Sequence, residues 1–176
     1  RGKKGLAYID KTGTQVFAAP YDYALPFHDG LAEVRRKVKS TNFLGAVLTI
    51  AAGTAGQFIY DPLMLDDENV KRGYIDKTGA EVISTKHDYI SDFEDGMALV
   101  RRGGKWGMVD RTGSYIVAPE YSALRRFSED MAAVKDGDKW GFVGRDGQIA
   151  IAPAYEEVHD FHEDLAVVSK GQKSFF

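Results

Sequence analysis

The sequence predicts an all-β fold of four tandem hairpin-based repeats in an elongated, solenoid-like stack, with one partly helical insertion after the first copy. Two observations carry that prediction. Gly79, Gly113 and Gly147 are spaced by 34 residues, and Gly13 precedes Gly79 by 66, one period plus 32. Apolar columns run in step with them: Tyr8, Tyr74, Met108 and Phe142; Val16, Val82, Ile116 and Ala150; Phe27, Phe93, Phe127 and Phe161; Ala32, Ala98, Ala132 and Ala166; Val34, Val100, Val134 and Val168.

Within the third copy the elements follow in order. Lys105-Trp106-Gly107-Met108-Val109-Asp110 reads as a strand, Arg111-Thr112-Gly113 as a turn, and Tyr115-Ile116-Val117-Ala118 as the returning strand. Asp110 opens the turn and Gly113 supplies a positive φ, which is why Asp10, Asp76, Gly13 and Gly79 stand at the same places. Pro119 and Pro153 are expected to stop the second strand, because proline has no N–H for a ladder. Tyr121, Leu124 and Phe127, three residues apart, suit a tight turn or a short 3₁₀ segment. A third strand, Met131 to Val134, then meets the next copy through Asp136-Gly137. These columns place the repeats at residues 4–37, 70–103, 104–137 and 138–171, the insertion at 38–69, and a partial or capping repeat at 172–176.

One such unit cannot cover both faces of a three-stranded sheet, so the Trp, Phe and Val columns are expected to be core, covered by the neighbouring copy. Gly107 and Gly141, directly after Trp106 and Trp140, are expected where a neighbour's backbone or ring approaches closely. The other use of such rings is an exposed aromatic ladder for sugars or choline-like ligands. Leu6 and Arg72 in the same column argue against it. A closed propeller-like ring is the alternative architecture, although about 34 residues is short for a four-stranded blade.

The pattern of Lys-Trp-Gly, an aromatic or Met, an aliphatic, Asp and then Gly, followed by Pro, Tyr and the Phe-acidic stretch ending in Ala-x-Val, resembles the bacterial WG-repeat proteins. The likeness spans nearly the whole chain outside residues 38–69, is strongest at 105–134 and 139–168, and departs from pattern at Leu6-Ala7, Arg72 and Gly144. It implies an all-β repeat protein, often secreted or envelope-associated, without a general catalytic activity assigned to the repeat. It carries over no catalytic residues.

The insertion is the most informative departure. Lys37 and Val70 correspond to Gly103 and Gly104 of the next copy, which puts the 32 extra residues on a hairpin tip, where insertions are tolerated and function is often placed. Phe43 to Tyr60 holds no charged residue, yet a single membrane span is disfavoured. Both ends must return to one hairpin, and the return carries Asp61, Asp66, Asp67 and Glu68. The preferred reading is a helix against protein, with an extended return through Pro62. On it Phe43, Leu44, Val47, Leu48, Phe58 and Ile59 supply apolar contacts, and Gly45, Thr49 and Gly53 form a small-residue groove. The stripe packs on its own array, docks a partner or second copy, or touches a membrane surface.

Composition excludes several classes. The formal charge is −3 with 28% charged residues, which does not suit a phosphate-neutralising nucleic-acid binder. The absence of cysteine removes disulfides and thiolate chemistry. Arg1 in place of Met suggests a removed leader or a segment of a longer chain. The recurring acids Glu94-Asp95, Glu129-Asp130 and Glu163-Asp164 read as turns, not as a glycosidase pair, because periodic copies supply neither asymmetry nor a unique cleft. His159, Asp160, His162 and Glu163 are the densest metal-like cluster and are read as polar surface. Arg35, Arg36, Lys37, Arg101 and Arg102 sit at matching strand ends, as a small basic patch for an acidic partner or as solubilising strand ends. No catalytic residue, metal or cofactor is expected. The expected role is a non-catalytic protein-binding or scaffolding module, with the apolar insertion and those arginines as partner contacts. The alternatives are a carbohydrate-binding cell-surface or envelope protein and a non-catalytic segment of a larger enzyme.

Overall fold

The computed structural model describes residues 5–38 and 69–171, all strand, turn and loop with no helix among them. The strands form five layers. Layer 1 holds β1 (Leu6–Ile9) and β2 (Gln15–Ala19), and layer 2 holds β3 (Tyr23–Ala24), β4 (Leu31–Lys37), β5 (Val70–Asp76) and β6 (Glu81–His87). Layer 3 holds β7 (Tyr89–Ile90), β8 (Met97–Arg102), β9 (Lys105–Asp110) and β10 (Tyr115–Tyr121). Layer 4 holds β11 (Ala123–Ser128), β12 (Met131–Asp136), β13 (Lys139–Gly144) and β14 (Ile149–Tyr155), and layer 5 holds β15 (Glu157–Val158) and β16 (Val168–Ser169). All pairings are antiparallel between sequence neighbours. Each four-stranded layer is shared, with two strands closing one copy and two opening the next.

Both faces of the inner layers are covered, which explains why their central strands read as apolar runs instead of strict alternation. Ala98, Val100 and Val109 of layer 3 pack on Leu31, Tyr74 and Ile83 of layer 2. On the opposite face Met108 and Val117 pack on Leu124, Ala132, Val134 and Val143 of layer 4. The Phe column joins successive layers: Phe27 lies 4.9 Å from Tyr8, Phe93 5.4 Å from Tyr74 and Phe161 4.9 Å from Phe142, centroid to centroid. These tilted and edge-to-face geometries suit aromatic quadrupoles. The phenylalanines are thus core, and each joins two successive layers within its own copy instead of being covered by a neighbouring copy. Among the described residues each core cluster joins two successive layers, none joins layer 1 to layer 5, and no sheet closes into a barrel, an arrangement consistent with a tandem β-repeat stack.

Three local expectations change. Each inner copy supplies four strands, not three, because the segment expected as a 3₁₀ turn pairs as a strand: fully in β11, and over two residues in β3, β7 and β15. Pro119 and Pro153 do not end their strands; β10 and β14 continue through them. Opposite Trp106 and Met108 the register of β10 jumps from Val117 to Tyr121, and that bulge accommodates a residue without an N–H. Gly107 and Gly141 are approached by this same bulge of their own layer, at Val117 and Ile151, and not by a neighbouring copy.

The turns hold as read. Asp110 Oδ1 accepts from Thr112 N–H at 2.8 Å, Thr112 Oγ1 at 2.7 Å and Ser114 N–H at 3.0 Å, and Asp10 and Asp76 do the same. These bonds, the threonine hydroxyl first, hold all three carboxyls below their ordinary range. In the fourth copy, where Gly144 replaces the Asp, Asp146 accepts from Gln148 N–H at 3.0 Å instead. Gly113, at φ 85°, has a further duty: a side chain there would collide with the Val82 carbonyl of the preceding layer, as one at Gly147 would with Ile116.

Candidate functional site

One departure from periodicity among the described residues is a cleft between layers 2 and 3, about 380 Å³ in volume, lined by Asp29, Glu33, Tyr74, Asp92, Phe93 and Arg111 among others. The equivalent gap between layers 3 and 4 holds only about 60 Å³. The difference lies in two columns. Arg126 fills the narrower gap, its guanidinium 3.0 Å from Glu94 and 3.2 Å from both Ser91 Oγ and the Asp92 carbonyl. One copy earlier that column holds the much shorter Asp92, and Glu33 stands where the next copy has Leu99.

Glu33 is tied down. Its carboxylate accepts from Arg35 Nε at 2.6 Å and lies 3.7 Å from Arg72 Nη1, and all three side chains are nearly buried. Arg72 also stacks over Tyr89, 5.7 Å from its centroid. The substitution of Arg72 for Trp in the repeat is thus matched by an acid on the facing strand, where Glu33 and Arg35 flank the cross-strand partner of Gly73. Burial first, and then the charges of Glu33 and Asp92, push the Tyr74 hydroxyl up to about 12, so it stays protonated as a donor. Arg111 lies over Phe93 at 5.2 Å and reaches the Asp29 carbonyl across the layer boundary. The cleft is suited to holding a polar group between acids and a phenol. Its tyrosine is not activated as a base or nucleophile.

The arginines expected as one basic patch are separated by strand alternation. Arg35 is buried in the pair with Glu33 and so leaves the patch, whereas Arg36 on the opposite face stacks over Tyr21 at 5.2 Å and lies 3.5 Å from Glu81. Arg101 covers Trp106 at 5.9 Å, and Arg102 is exposed. Trp140 is covered by Arg125 at 4.8 Å and Lys135 at 5.8 Å. Both indoles are half-buried in interlayer clusters with cations over their rings, an arrangement that leaves no bare stacking ladder. Phe43, Leu44, Val47, Leu48, Phe58 and Ile59, with the helix expected to carry them, lie outside the described residues. The base of their segment is defined: β4 and β5 stay in register to Lys37 and Val70, and Val38 N–H donates to the Asn69 carbonyl at 2.6 Å.

The recurring acids serve as turn residues and struts. Asp29-Gly30, Asp95-Gly96, Glu129-Asp130 and Glu163-Asp164 all have positive φ at both positions, the type I′ geometry of two-residue hairpins. Glu129 in addition accepts from the N–H groups of Glu163 at 2.8 Å and Asp164 at 2.9 Å, tying one turn to the next. In the His159–Glu163 region Asp160 pairs with Arg125 at 3.3 Å, and among the described residues no three His, Asp or Glu groups converge as a metal site. Reading from sequence missed Glu33, Asp92 and the strut role of Glu129. The signal for the first was a charge in a column otherwise Leu99 and Ala133.

Shared layers, Trp-Gly strands and a turn glycine on each copy define a tandem β-repeat module. The family described as WG containing repeat matches residues 7–37, 73–106, 106–140 and 140–173, and the chain belongs to that family. No curated protein and no solved structure matches it. Among the described residues no helix is long and apolar enough to cross a membrane.

Proposed function

We propose that the array is a non-catalytic protein-binding scaffold whose β4–β5 hairpin carries the 39–68 segment as the contact for a partner protein. The observation carrying this reading is the paired base of that segment. Interior tips in layers 3 and 4 close on Gly103-Gly104 and Gly137-Asp138, whereas here the pairing runs on into the insertion through its first and last residues, Val38 and Asn69. A rigid hairpin reduces the ordering cost of whatever it presents. Lys37 N–H donates to Asp22 at 2.7 Å, and Lys71 pairs with Asp88, which brace both strands of the base. The recurring carboxylates support the non-catalytic part, since they act as turn residues, struts and ion-pair partners.

The test replaces residues 39–68 with Gly-Gly. Unchanged β-sheet circular dichroism with loss of partner capture is the expected result. Equal capture by both forms rejects the reading. A glycan-array signal lost in Trp106→Ala and Trp140→Ala would move the function to carbohydrate binding.

A further inference from the structure

We propose that the cleft between layers 2 and 3 is a binding site for a guanidinium group, taken up in the place that Arg126 fills with its own guanidinium one layer further on. The two gaps are built from the same columns: Leu31, Tyr74 and Phe93 line the cleft where Met97, Met108 and Phe127 line the gap between layers 3 and 4. In that second gap the Arg126 guanidinium lies 3.0 Å from Glu94 and 3.2 Å from the Asp92 carbonyl. In the cleft the column of Arg126 holds Asp92, and the column of Glu94 holds His28. A short acid thus stands where a long cation would close the gap, and about 380 Å³ stays open against about 60 Å³. That volume lies within the range of small-ligand pockets.

A hydroxyl and a carboxylate on the cleft walls have no partner among the described residues. The hydroxyl is that of Tyr74. Tyr8, in the same column one copy earlier, donates to the Leu25 carbonyl at 2.7 Å, whereas Tyr74 makes no hydrogen bond although the residue is only 8% exposed. Buried polar groups are almost always bonded, and a ligand in the cleft supplies the missing partner. The carboxylate is that of Asp92. Its main-chain carbonyl accepts from Ser91 Oγ and Arg126, but its side chain enters no hydrogen bond or ion pair. The other charges around the cleft are engaged: Glu33 with Arg35 and Arg72, Arg111 with the Phe93 ring and the Asp29 carbonyl, and Asp29 with His28 at 3.4 Å. A guanidinium between the walls donates both to Asp92 and to the phenol oxygen. Its planar fork and permanent charge suit a carboxylate set beside aromatic rings.

The test titrates the full chain at one ionic strength with methylguanidinium, N-acetyl-arginine methylamide and N-acetyl-citrulline methylamide, followed by NMR. Citrulline carries an uncharged urea of nearly the same shape. The arginine probe should shift the Tyr74 and Phe93 signals saturably, and the citrulline probe should bind about tenfold more weakly or worse, as loss of a charge-assisted hydrogen bond requires. Methylguanidinium binding as tightly as the arginine probe identifies a free small cation as the ligand, whereas much weaker binding identifies an arginine side chain of a peptide. Asp92→Asn should weaken the arginine probe about tenfold and Tyr74→Phe about threefold. Both should keep the β-sheet circular dichroism, since neither group holds a bond within the fold. Asp92→Arg with His28→Glu supplies the chain's own guanidinium and its acid, and should abolish binding in a folded protein. Replacement of 39–68 by Gly-Gly should leave probe affinity unchanged, which separates this site from the partner contact. No saturable binding of either guanidinium probe overturns the inference. So do equal affinities for arginine and citrulline, full-strength binding by Asp92→Asn or by the filled variant, or binding lost with the 39–68 segment.

Discussion

The carbonyl oxygen of Val117 occupies the space a side chain on Gly107 would need: a Cβ there would lie 2.6 Å from it and 2.7 Å from the nitrogen of Pro119. Gly107 carries no positive φ, so the constraint is steric and not conformational. The first copy, with Ala7 at this place, lacks the bulge, since Leu6, Ala7 and Tyr8 pair with Ala19, Ala18 and Phe17 without a register jump. Glycine after tryptophan and the proline bulge opposite it are one device. Gly107→Ala should destabilise by about 1–3 kcal/mol, as overpacking does, measured as a fall in urea midpoint at constant m-value. Ala7→Gly should change little, and a large loss there would break the link between glycine and bulge.

Much of this was legible in the columns, for a physical reason. A layer with both faces covered imposes the same environment every period, so Val34, Val100 and Val134 record one packing site repeated. The sharing of each layer between copies was not legible, because a ladder across a copy boundary leaves the same apolar pattern as one within it. Nor was the bulge, since Pro119 ends a strand in most contexts and only the missing side chain of Gly107 lets the strand fold around it. Arg35 read as surface beside Arg36 and Lys37; its burial depends on Glu33, two residues earlier on the same face. The cleft emerges only when Asp92 is compared with Arg126, and that comparison needs knowledge of what the column faces.

Glu33, Arg35 and Arg72 form a nearly buried ionic group that replaces the apolar and indole contacts of later copies. Removing one member of such a group leaves charge uncompensated, which costs about 3–5 kcal/mol. Glu33→Leu alone is expected near that figure. Glu33→Leu with Arg72→Trp restores the residue types of layer 3, Leu99 and Trp106, and should recover most of the loss. A thermodynamic double-mutant cycle reads the coupling. Additive losses would show that the two positions are independent.

Glu129 adopts φ 47°, a left-handed conformation that L-residues resist by about 1–2 kcal/mol. Its carboxylate offsets that strain by accepting two N–H groups of the next turn. Glu129→Ala keeps the strain and loses both bonds, whereas Glu129→Gly loses the bonds and relieves the strain. The alanine variant should therefore melt below the glycine variant, and both should increase amide exchange at Glu163 and Asp164. Equal melting temperatures would mean the strain is not borne at this residue.

His87 is almost wholly buried: Nδ1–H donates to the Ser84 carbonyl at 3.2 Å, and in the neutral ring Nε2 then accepts from the Tyr115 hydroxyl at 2.8 Å. Burial, with the neighbouring positive charge of Lys86 next, lowers its pKa below the ordinary histidine value. In the unfolded chain the imidazole takes up a proton near pH 6.5, while the folded ring does so only at lower pH. The unfolded state thus binds more protons in that window, and stability falls as pH drops from about 6.5 through the folded pKa. Urea midpoints at about pH 7.5 and about pH 5.5 should differ in the parent and converge in His87→Phe. Tyr115→Phe should lose about 0.5–1.5 kcal/mol, the worth of one hydrogen bond, at neutral pH while keeping the pH slope. A slope that survived in His87→Phe would assign the titration to carboxylates such as Asp10 and Asp110. Their depressed pKa values place the corresponding loss at lower pH, below about 4.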